Sequence, residues 1–281
     1  MSKMLPKCTK DSNGQSRADK SFSRYLMTYY LAYCQGDILL TKEGNIPFGI
    51  QVPFPTKPWN KITTLQRGNN QYEIIRLDAP LTKNPEFCMV GLRQSFGILS
   101  EDDYQIAGKG AELVYWDKNT KYCGMCGAPL EWQTPISKQC PECKKEWWPS
   151  LAIAIIVRVE RENELLMVHA HSFRDKHYGL VAGFVETGET LEECVRREVI
   201  EETGIEIKDI QYFGSQPWPY PCGLMVGFTA QYASGNLRLQ KEELDNGGWY
   251  KKENLPELPG KASIARKLIE DWLSKQKERK E

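Results

Sequence analysis

One stretch of the chain constrains its fold more than any other: residues 183–205 read GFVETGETLEECVRREVIEETGI. Thr190 followed by Glu193 is a capping-box pattern, and Gly204 suits a left-handed helix end. The stretch therefore predicts a helix that begins near Thr190 and ends at Gly204. The apolar side chains that recur every four residues predict the buried face of this helix: Leu191, Val195 and Val199.

Three carboxylates fall on one side of this predicted helix. Glu198, Glu201 and Glu202 stand at positions i, i+3 and i+4, which share a helix face. Crowded carboxylates repel one another, and a hard divalent cation such as Mg2+ relieves that repulsion because it prefers oxygen ligands. Arg197 is placed to pair with Glu189 in the preceding loop. The alternative is an ordinary acidic, solvated helix, which the combined spacing of the glycines, Glu189 and the Arg197–Glu198 pair disfavours.

Four cysteines form a second pattern, in the segments CGMC and CPEC, with thirteen residues between the two pairs. Two such pairs supply four thiolates, which is typical of a structural zinc ribbon. Disulfides and a redox dithiol are the alternatives. The chain opens without a signal peptide, which favours a reducing compartment over disulfides, and a redox dithiol needs only one pair. The predicted zinc ligands are Cys123, Cys126, Cys140 and Cys143.

The stretch from Gly183 matches the Nudix box, and the chain resembles the Nudix hydrolases. A second segment, SQPWPYPCGLM, follows the box and places prolines between two aromatic residues. By composition alone it is a structural loop or a stiff stacking surface for a flat ring. Together with the four-cysteine ribbon, it makes the chain similar to the bacterial NADH pyrophosphatases, which also remove NAD caps from RNA. The chain departs from that family's pattern at Tyr220 for Phe, at Cys222-Gly223 for Gln-Ser, and at Trp148 for Tyr.

The resemblance implies an Mg2+ or Mn2+ site and a substrate site. It assigns the catalytic metal to Glu198, Glu202, Glu243 and the carbonyl of Ala182. Glu202 is expected to position or deprotonate the attacking water, with Glu201 as the second candidate. The residues expected to bind substrate are Gln216, Pro217, Trp218, Pro219, Tyr220, Pro221, Cys222, Gly223, Trp148, Ala265, Arg93 and Lys42.

Length and resemblance together predict an α+β protein in several parts. The expected parts are a loose tail over 1–23, an α+β domain over 24–119, the zinc ribbon over 120–149, and a Nudix α/β/α sandwich with a mixed sheet over 150–281. Strands are expected at 37–40, 72–77, 151–159, 164–169, 179–182 and 224–232, and helices at 86–99 and 264–275. The sequence of the 24–119 domain carries no motif that indicates its own role.

The expected function is hydrolysis of the pyrophosphate of NAD(H) to a nicotinamide mononucleotide and AMP, and removal of the NAD cap from RNA. Charges balance, with 37 basic and 37 acidic residues, so no global field attracts a long polyanion. No apolar run reaches the length of a membrane span, and a cytoplasmic protein is expected. The resemblance implies a homodimer. The rival hypotheses are hydrolysis of another dinucleotide such as ADP-ribose, and a nucleic-acid-binding regulatory module that uses the Nudix domain as a ligand sensor.

Overall fold

A computed structural model describes residues 27–173 and 176–278. The expected N-terminal tail, 1–23, lies outside the described residues. Two six-stranded sheets, a small three-stranded sheet and three α-helices make up the described chain. This is the predicted α+β class. None of the helices in these ranges has the length and apolar character needed to cross a bilayer.

The first sheet is formed by residues before the cysteine pairs. Its strands are β1 (Thr28–Cys34), β2 (Asp37–Thr41), β3 (Phe48–Gly49), β4 (Lys61–Arg67), β5 (Asn70–Arg76) and β6 (Phe87–Gly91), with a 3-10 turn at Pro58–Asn60. They lie in the order β4-β5-β1-β2-β6, and β3 pairs with β1. Helix α1 (Glu101–Asn119) packs its buried side chains, among them Ile106 and Leu113, into the same core as Leu31 and Ile74 of the sheet.

The helix expected over 86–99 is wrong. The segment forms β6 and a following turn, because its residues pair with β2 in the register Leu39 to Met89. The helix begins later, where the Ser100 side chain accepts the N–H of Asp103 and three acidic residues fill the first turn. Such a cap and such charges both favour a helix N-terminus.

The cysteine pairs lie beside the strands of a separate small sheet. Its strands are β7 (Glu131–Thr134), β8 (Ser137–Gln139) and β9 (Glu146–Trp147), which pair in that order. A chain segment this short buries little apolar surface. The four cysteine thiols are therefore the feature that can stabilise this segment, by binding a common metal ion.

The second sheet carries the box, 183–205, between its strands β12 and β13. Its strands are β10 (Ala152–Arg161), β11 (Glu164–Ala170), β12 (Val181–Phe184), β13 (Ile205–Trp218), β14 (Gly223–Gly235) and β15 (Leu244–Lys251), and a 3-10 turn follows at Lys252–Asn254. The order is β13-β14-β10-β11-β15, and β12 also pairs with β10. Only β10 and β14 are parallel among the pairs recorded in this sheet, so the sheet is mixed as predicted.

One helix covers each face of this sheet. Helix α2 (Leu191–Thr203) packs Val195 and Val199 on one face, and α3 (Ile264–Glu278) packs Leu268 and Trp272 on the other. Buried Arg158 on β10 bonds Asp271 at 2.7 Å and the carbonyl of Leu268 at 2.6 Å, which ties α3 to the sheet. The predicted α/β/α sandwich is confirmed, as are the strands expected at 151–159, 164–169 and 224–232 within one to three residues at each end.

Candidate functional site

The caps of α2 fix which of its side chains face inward. The Thr190 hydroxyl accepts the N–H of Glu193, the Glu193 carboxylate accepts the N–H of Thr190 at 2.8 Å, and Gly204 ends the helix with φ +68°. Both predicted signals are confirmed. The resulting phase places Glu198 at 9% exposure and Glu202 at 4%, on the side of the helix that faces the sheet.

The carboxylate of Glu198 lies directly against the backbone of Gly183 on β12. A Cβ at Gly183 would lie 1.9 Å from both Cδ and Oε1 of Glu198, which is far inside van der Waals contact. Glycine is therefore required here for a close approach rather than for a special backbone angle. The neighbouring Ala182, the predicted carbonyl ligand, is on the same strand, paired with Ile156.

Arg197 organises the acidic groups around the helix. Its Nε and Nη2 donate to the two carboxylate oxygens of Glu189 at 2.7 and 3.0 Å, which confirms the predicted pair. Its Nη1 donates to Glu198 at 2.8 Å and to Glu201 at 3.0 Å, and Nη2 also reaches the carbonyl of Phe184. The bond from Arg197 holds the pKa of Glu189 down to about 2. Glu189 is thus the anchor of the loop, and half-exposed Glu201 is partly neutralised.

Glu202 is different, because no ion pair or hydrogen bond within the described residues involves its carboxylate. Burial, followed by the nearby charges of Glu198, Glu243 and Glu201, raises the pKa of Glu202 to about 8. Burial also raises the pKa of Glu198, although Arg197 opposes the shift. A buried carboxylate among other carboxylates is unfavourable without a cation, and oxygen donors of this kind suit Mg2+ or Mn2+. The donor set therefore fits the metal that the box implies.

Glu243 reaches this group through the backbone. The N–H of Gln240 donates to the carbonyl of Glu202 at 2.8 Å, and the N–H of His171 donates to the carbonyl of Glu243 at 2.9 Å. These bonds hold the loop before β15 beside the C-terminal end of α2. The Glu243 side chain is exposed in this arrangement, while its charge contributes to the raised pKa of both Glu198 and Glu202.

The four predicted zinc ligands lie together. Their sulfurs are all within 4.8 Å of one another, and within the described ranges no other group of three or more Cys, His, Asp or Glu side chains is as close. Zinc binds four thiolates tetrahedrally at about 2.3 Å, which this spacing permits. Gly127 turns the first pair with φ +78°, and a Cβ at Gly124 would lie 2.9 Å from the Trp147 ring. The residues fit one structural zinc ion.

The proline-aromatic segment divides between a strand end and a tight turn. Gln216, Pro217 and Trp218 end β13, and Gly223 begins β14 opposite Trp218. Because β13 is an edge strand, the missing N–H of Pro217 leaves no bond of the sheet interior unmade. The turn is formed by the four residues between the two strands: Pro219, Tyr220, Pro221 and Cys222. The Tyr220–Pro221 peptide bond is cis, and the carbonyl of Cys222 accepts the N–H of Ala152 at the start of β10.

Two predicted substrate residues lie near the start of α3. The Gln216 side chain donates through Nε2 to the carbonyl of Ala262 at 2.6 Å, while its buried Oε1 has no hydrogen-bond partner. Ala265 lies in the first turn of the helix and is 8% exposed, packed in the core beneath.

The strand register relates the aromatic segment to the box. Gln216 pairs with Met225, Met225 with Ala154, and Ala154 with Phe184. The four residues form one row across the sheet, so Gln216 and Phe184 are three strand spacings apart, roughly 14 Å. Phe184 was not among the predicted site residues, and it is 66% exposed although it is a large aromatic residue in the box. The sequence signal that could have identified Phe184 is its position as an aromatic residue at the start of the otherwise mostly polar loop of the box.

The structure brings only part of the predicted substrate set together. The guanidinium of Arg93 lies over the rings of Trp218, at 5.0 Å from the centroid, and Tyr220, at 4.5 Å. Lys42 follows β2 at the end opposite Gly91 and Arg93, and Trp148 is half exposed between the ribbon and β10. Neither Lys42 nor Trp148 contacts another predicted substrate residue through the recorded hydrogen bonds, ion pairs and ring contacts of the described chain.

Comparison with known proteins adds one family match, two curated relatives and one solved structure. The family model of the NUDIX domain matches residues 149–272. The NAD-capped RNA hydrolase NudC of Klebsiella pneumoniae (strain 342) is 41% identical over 193 residues, which cover 66% of this chain and 72% of that protein. The NudC of Salmonella schwarzengrund (strain CVM19633) is 41% identical over 172 residues, 61% and 67% of the two chains. A NUDIX hydrolase crystal structure from Nitrosomonas europaea is 19% identical, with TM-score 0.48, over 56% of this chain and 93% of that one.

Proposed function

This chain belongs to the Nudix hydrolases, in the family of the NudC proteins, and on that basis we propose that it hydrolyses the pyrophosphate bond of NAD(H) and of NAD-capped RNA. The products are a nicotinamide mononucleotide with AMP, or with an RNA that ends in a 5'-monophosphate. The observation that carries the proposal is the row from Gln216 to Phe184. It places the proline-aromatic segment and the box at the same end of one sheet, so one dinucleotide can reach both.

The acidic groups are assigned to the pyrophosphate. Glu198, Glu202, Glu243 and the carbonyl of Ala182 would hold Mg2+ or Mn2+, which neutralises phosphate charge and lowers the pKa of a bound water. Glu202 is assigned to accept the proton of the attacking water, because its carboxylate is buried beside the other acidic groups and makes no hydrogen bond or ion pair with another described residue. Glu201 is the second candidate for this role, although its bond to Arg197 weakens it as a base.

The aromatic residues are assigned to the rings of the substrate. Trp218, Tyr220 and Phe184 offer faces or edges at this end of the sheet, and stacking of one base on an aromatic contributes on the order of 1 to 3 kcal/mol. Gln216 is assigned to the same site, because it ends β13 beside these aromatic residues and its side chain is held by the carbonyl of Ala262. Lys42 and Trp148 remain in the proposed set through the family resemblance alone.

The ribbon and the assembly complete the proposal. One Zn2+ held by the four cysteines is structural, because all four positions are filled by protein thiolates. The proposed homodimer is supported by two large apolar side chains that stay exposed where β10 begins: Leu151 and Ile153. A cytoplasmic location is part of the same proposal. Sedimentation equilibrium of the zinc-loaded chain should give twice the monomer mass, and a monomer at micromolar concentration would contradict the dimer.

A competition assay tests the substrate assignment. Equal concentrations of NADH, ADP-ribose and a short NAD-capped RNA are incubated with the zinc-loaded protein, with Mg2+ and Mn2+ in turn. We expect NADH or the capped RNA to be consumed well ahead of ADP-ribose. ADP-ribose consumed first would favour the rival dinucleotide hydrolase, and tight RNA binding without turnover of any substrate would favour the regulatory module.

A further inference from the structure

The hydroxyl groups of Tyr104 and Tyr220 form a hydrogen bond of 2.5 Å between the first helix and the proline-aromatic turn. The two residues are 116 positions apart: Tyr104 lies on the helix that packs against the first sheet, and Tyr220 lies in a turn of the second sheet. Tyr220 is where the chain departs from the family's Phe, so its hydroxyl is a feature of this chain and not of the general pattern. Burial raises the pKa of Tyr220. Its hydroxyl therefore stays protonated at neutral pH.

Other contacts between α1 and the turn lie around this bond. Gly108 is one helical turn after Tyr104, on the same face, and a Cβ there would lie 3.1 Å from Pro219. The helix thus approaches the turn so closely that even a methyl group at this position would crowd Pro219. The Tyr104 ring also packs edge-on against Phe96 at 5.3 Å between centroids, which fixes its direction.

Arg93 completes the contact from the turn after β6. Its guanidinium lies over the rings of both Trp218 and Tyr220, and those two rings meet edge to face at 5.1 Å. A cation over an aromatic face is attracted to it. Three residues of the first domain, Arg93, Tyr104 and Gly108, therefore hold the turn that is proposed to carry the substrate ring.

We propose that Tyr104 is a positioning residue for substrate binding: through its bond to Tyr220 it holds the proline-aromatic turn in the conformation that accepts the nicotinamide or adenine ring. This assigns a role to the first domain, whose sequence carries no functional motif. When the turn is already ordered in the free protein, less of the binding free energy is lost in ordering it. Removing the Tyr104–Tyr220 bond should therefore weaken substrate affinity. Tyr104 itself touches neither the acidic groups nor the reacting phosphates.

Single-hydroxyl variants test the proposal in the full chain with zinc and Mg2+. Tyr104→Phe and Tyr220→Phe each remove one oxygen and keep the ring, and the double variant closes a thermodynamic cycle. Tyr115→Phe is the matched control, since Tyr115 is on the same helix, 41% exposed, and its hydroxyl has no partner within the described residues. We expect KM for NADH to rise about two- to tenfold in each single variant, the range that one net hydrogen bond allows, with kcat nearly unchanged.

The double variant decides between positioning and unrelated effects. Because both hydroxyls serve one bond, the double variant should have the KM of a single variant, and Tyr115→Phe should match the wild type. Effects that multiply in the double variant, or an unchanged KM in Tyr104→Phe, would overturn the proposal. A lower Tm with unchanged KM would show a structural role only and would overturn it as well.

The KM measurement rests on the proposed function, so a second measurement avoids substrate. Amide hydrogen exchange of the peptide spanning 215–223 should be faster in Tyr104→Phe than in Tyr115→Phe or the wild type, without ligand. Equal exchange in all three would overturn the positioning role. A wild type that leaves NADH intact while the exchange difference persists would refute the proposed function and leave this role supported.

Discussion

Gly183→Ala should disable the enzyme without unfolding it. The added Cβ would lie 1.9 Å from Cδ and Oε1 of Glu198, whereas ordinary contacts begin at 3.4 Å. The carboxylate must therefore retreat by about 1.5 Å, since β12 is fixed by its pairing with β10. The retreat also strains the 2.8 Å bond from Arg197 to Glu198.

The expected magnitude follows from that displacement. A misplacement of about 1 Å in a catalytic constellation can cost about 100-fold in rate, so we expect kcat/KM to fall by about 100-fold or more. Folding should survive, because Gly183 has an ordinary extended backbone that alanine adopts, and replacing glycine there restricts the unfolded chain. The melting temperature should change by only a few degrees.

The assay compares NADH hydrolysis, Mn2+ affinity and thermal melting in Gly183→Ala and a matched control. The control is Gly214→Ala, on the edge strand of the same sheet, where an added Cβ meets nothing within 4 Å. Gly183→Ala should lose Mn2+ affinity as well as turnover, and the control should keep both. Wild-type turnover in Gly183→Ala would refute the placement of Glu198 against the backbone of β12.

Three further predictions follow from the electrostatics and the ribbon. Glu202→Gln should lose turnover. Without metal, it should nevertheless melt at a higher temperature than the wild type at pH 8. The reason is that the pKa of Glu202 is raised to about 8 in the folded protein, so the wild type loses stability as the pH rises from 4.5. Equal melting temperatures would contradict the burial of that charge. Glu189→Gln should destabilise the protein above pH 4.5. Because the pKa of Glu189 is depressed in the folded protein, the difference in urea midpoint between variant and wild type should shrink as the pH falls toward 2. A difference that does not depend on pH would count against the pair of Glu189 with Arg197. Cys123→Ser should lower the melting temperature by several degrees and leave kcat of the folded fraction near normal; an unchanged melting temperature would argue against a structural zinc.

The box helix was predictable because its signals are local. The Thr190 capping box and Gly204 act within a few residues of the helix ends, and the four-residue apolar repeat needs only one partner face. The helix expected over 86–99 failed for the opposite reason. That segment is a strand only because β2 lies beside it, fifty residues earlier in the chain, and tertiary pairing overrides local preference.

The site shows the same division. Glu198 and Glu202 follow from helical spacing, whereas the proximity of Glu243 depends on the backbone bond from Gln240 to Glu202. Spacing carries no information about that bond. The contact between Tyr104 and Tyr220 joins helix α1 to the turn between β13 and β14, 116 residues later in the chain, and no local sequence signal predicts it.

The proposal that this Nudix hydrolase cleaves the pyrophosphate of NAD(H) is tested most directly by the mass of the products from NADH alone. The zinc-loaded protein with Mg2+ should yield reduced nicotinamide mononucleotide and AMP in equal amounts, and Glu202→Gln should yield neither. Release of free nicotinamide with ADP-ribose, or intact NADH after incubation with the folded wild type, would contradict the account.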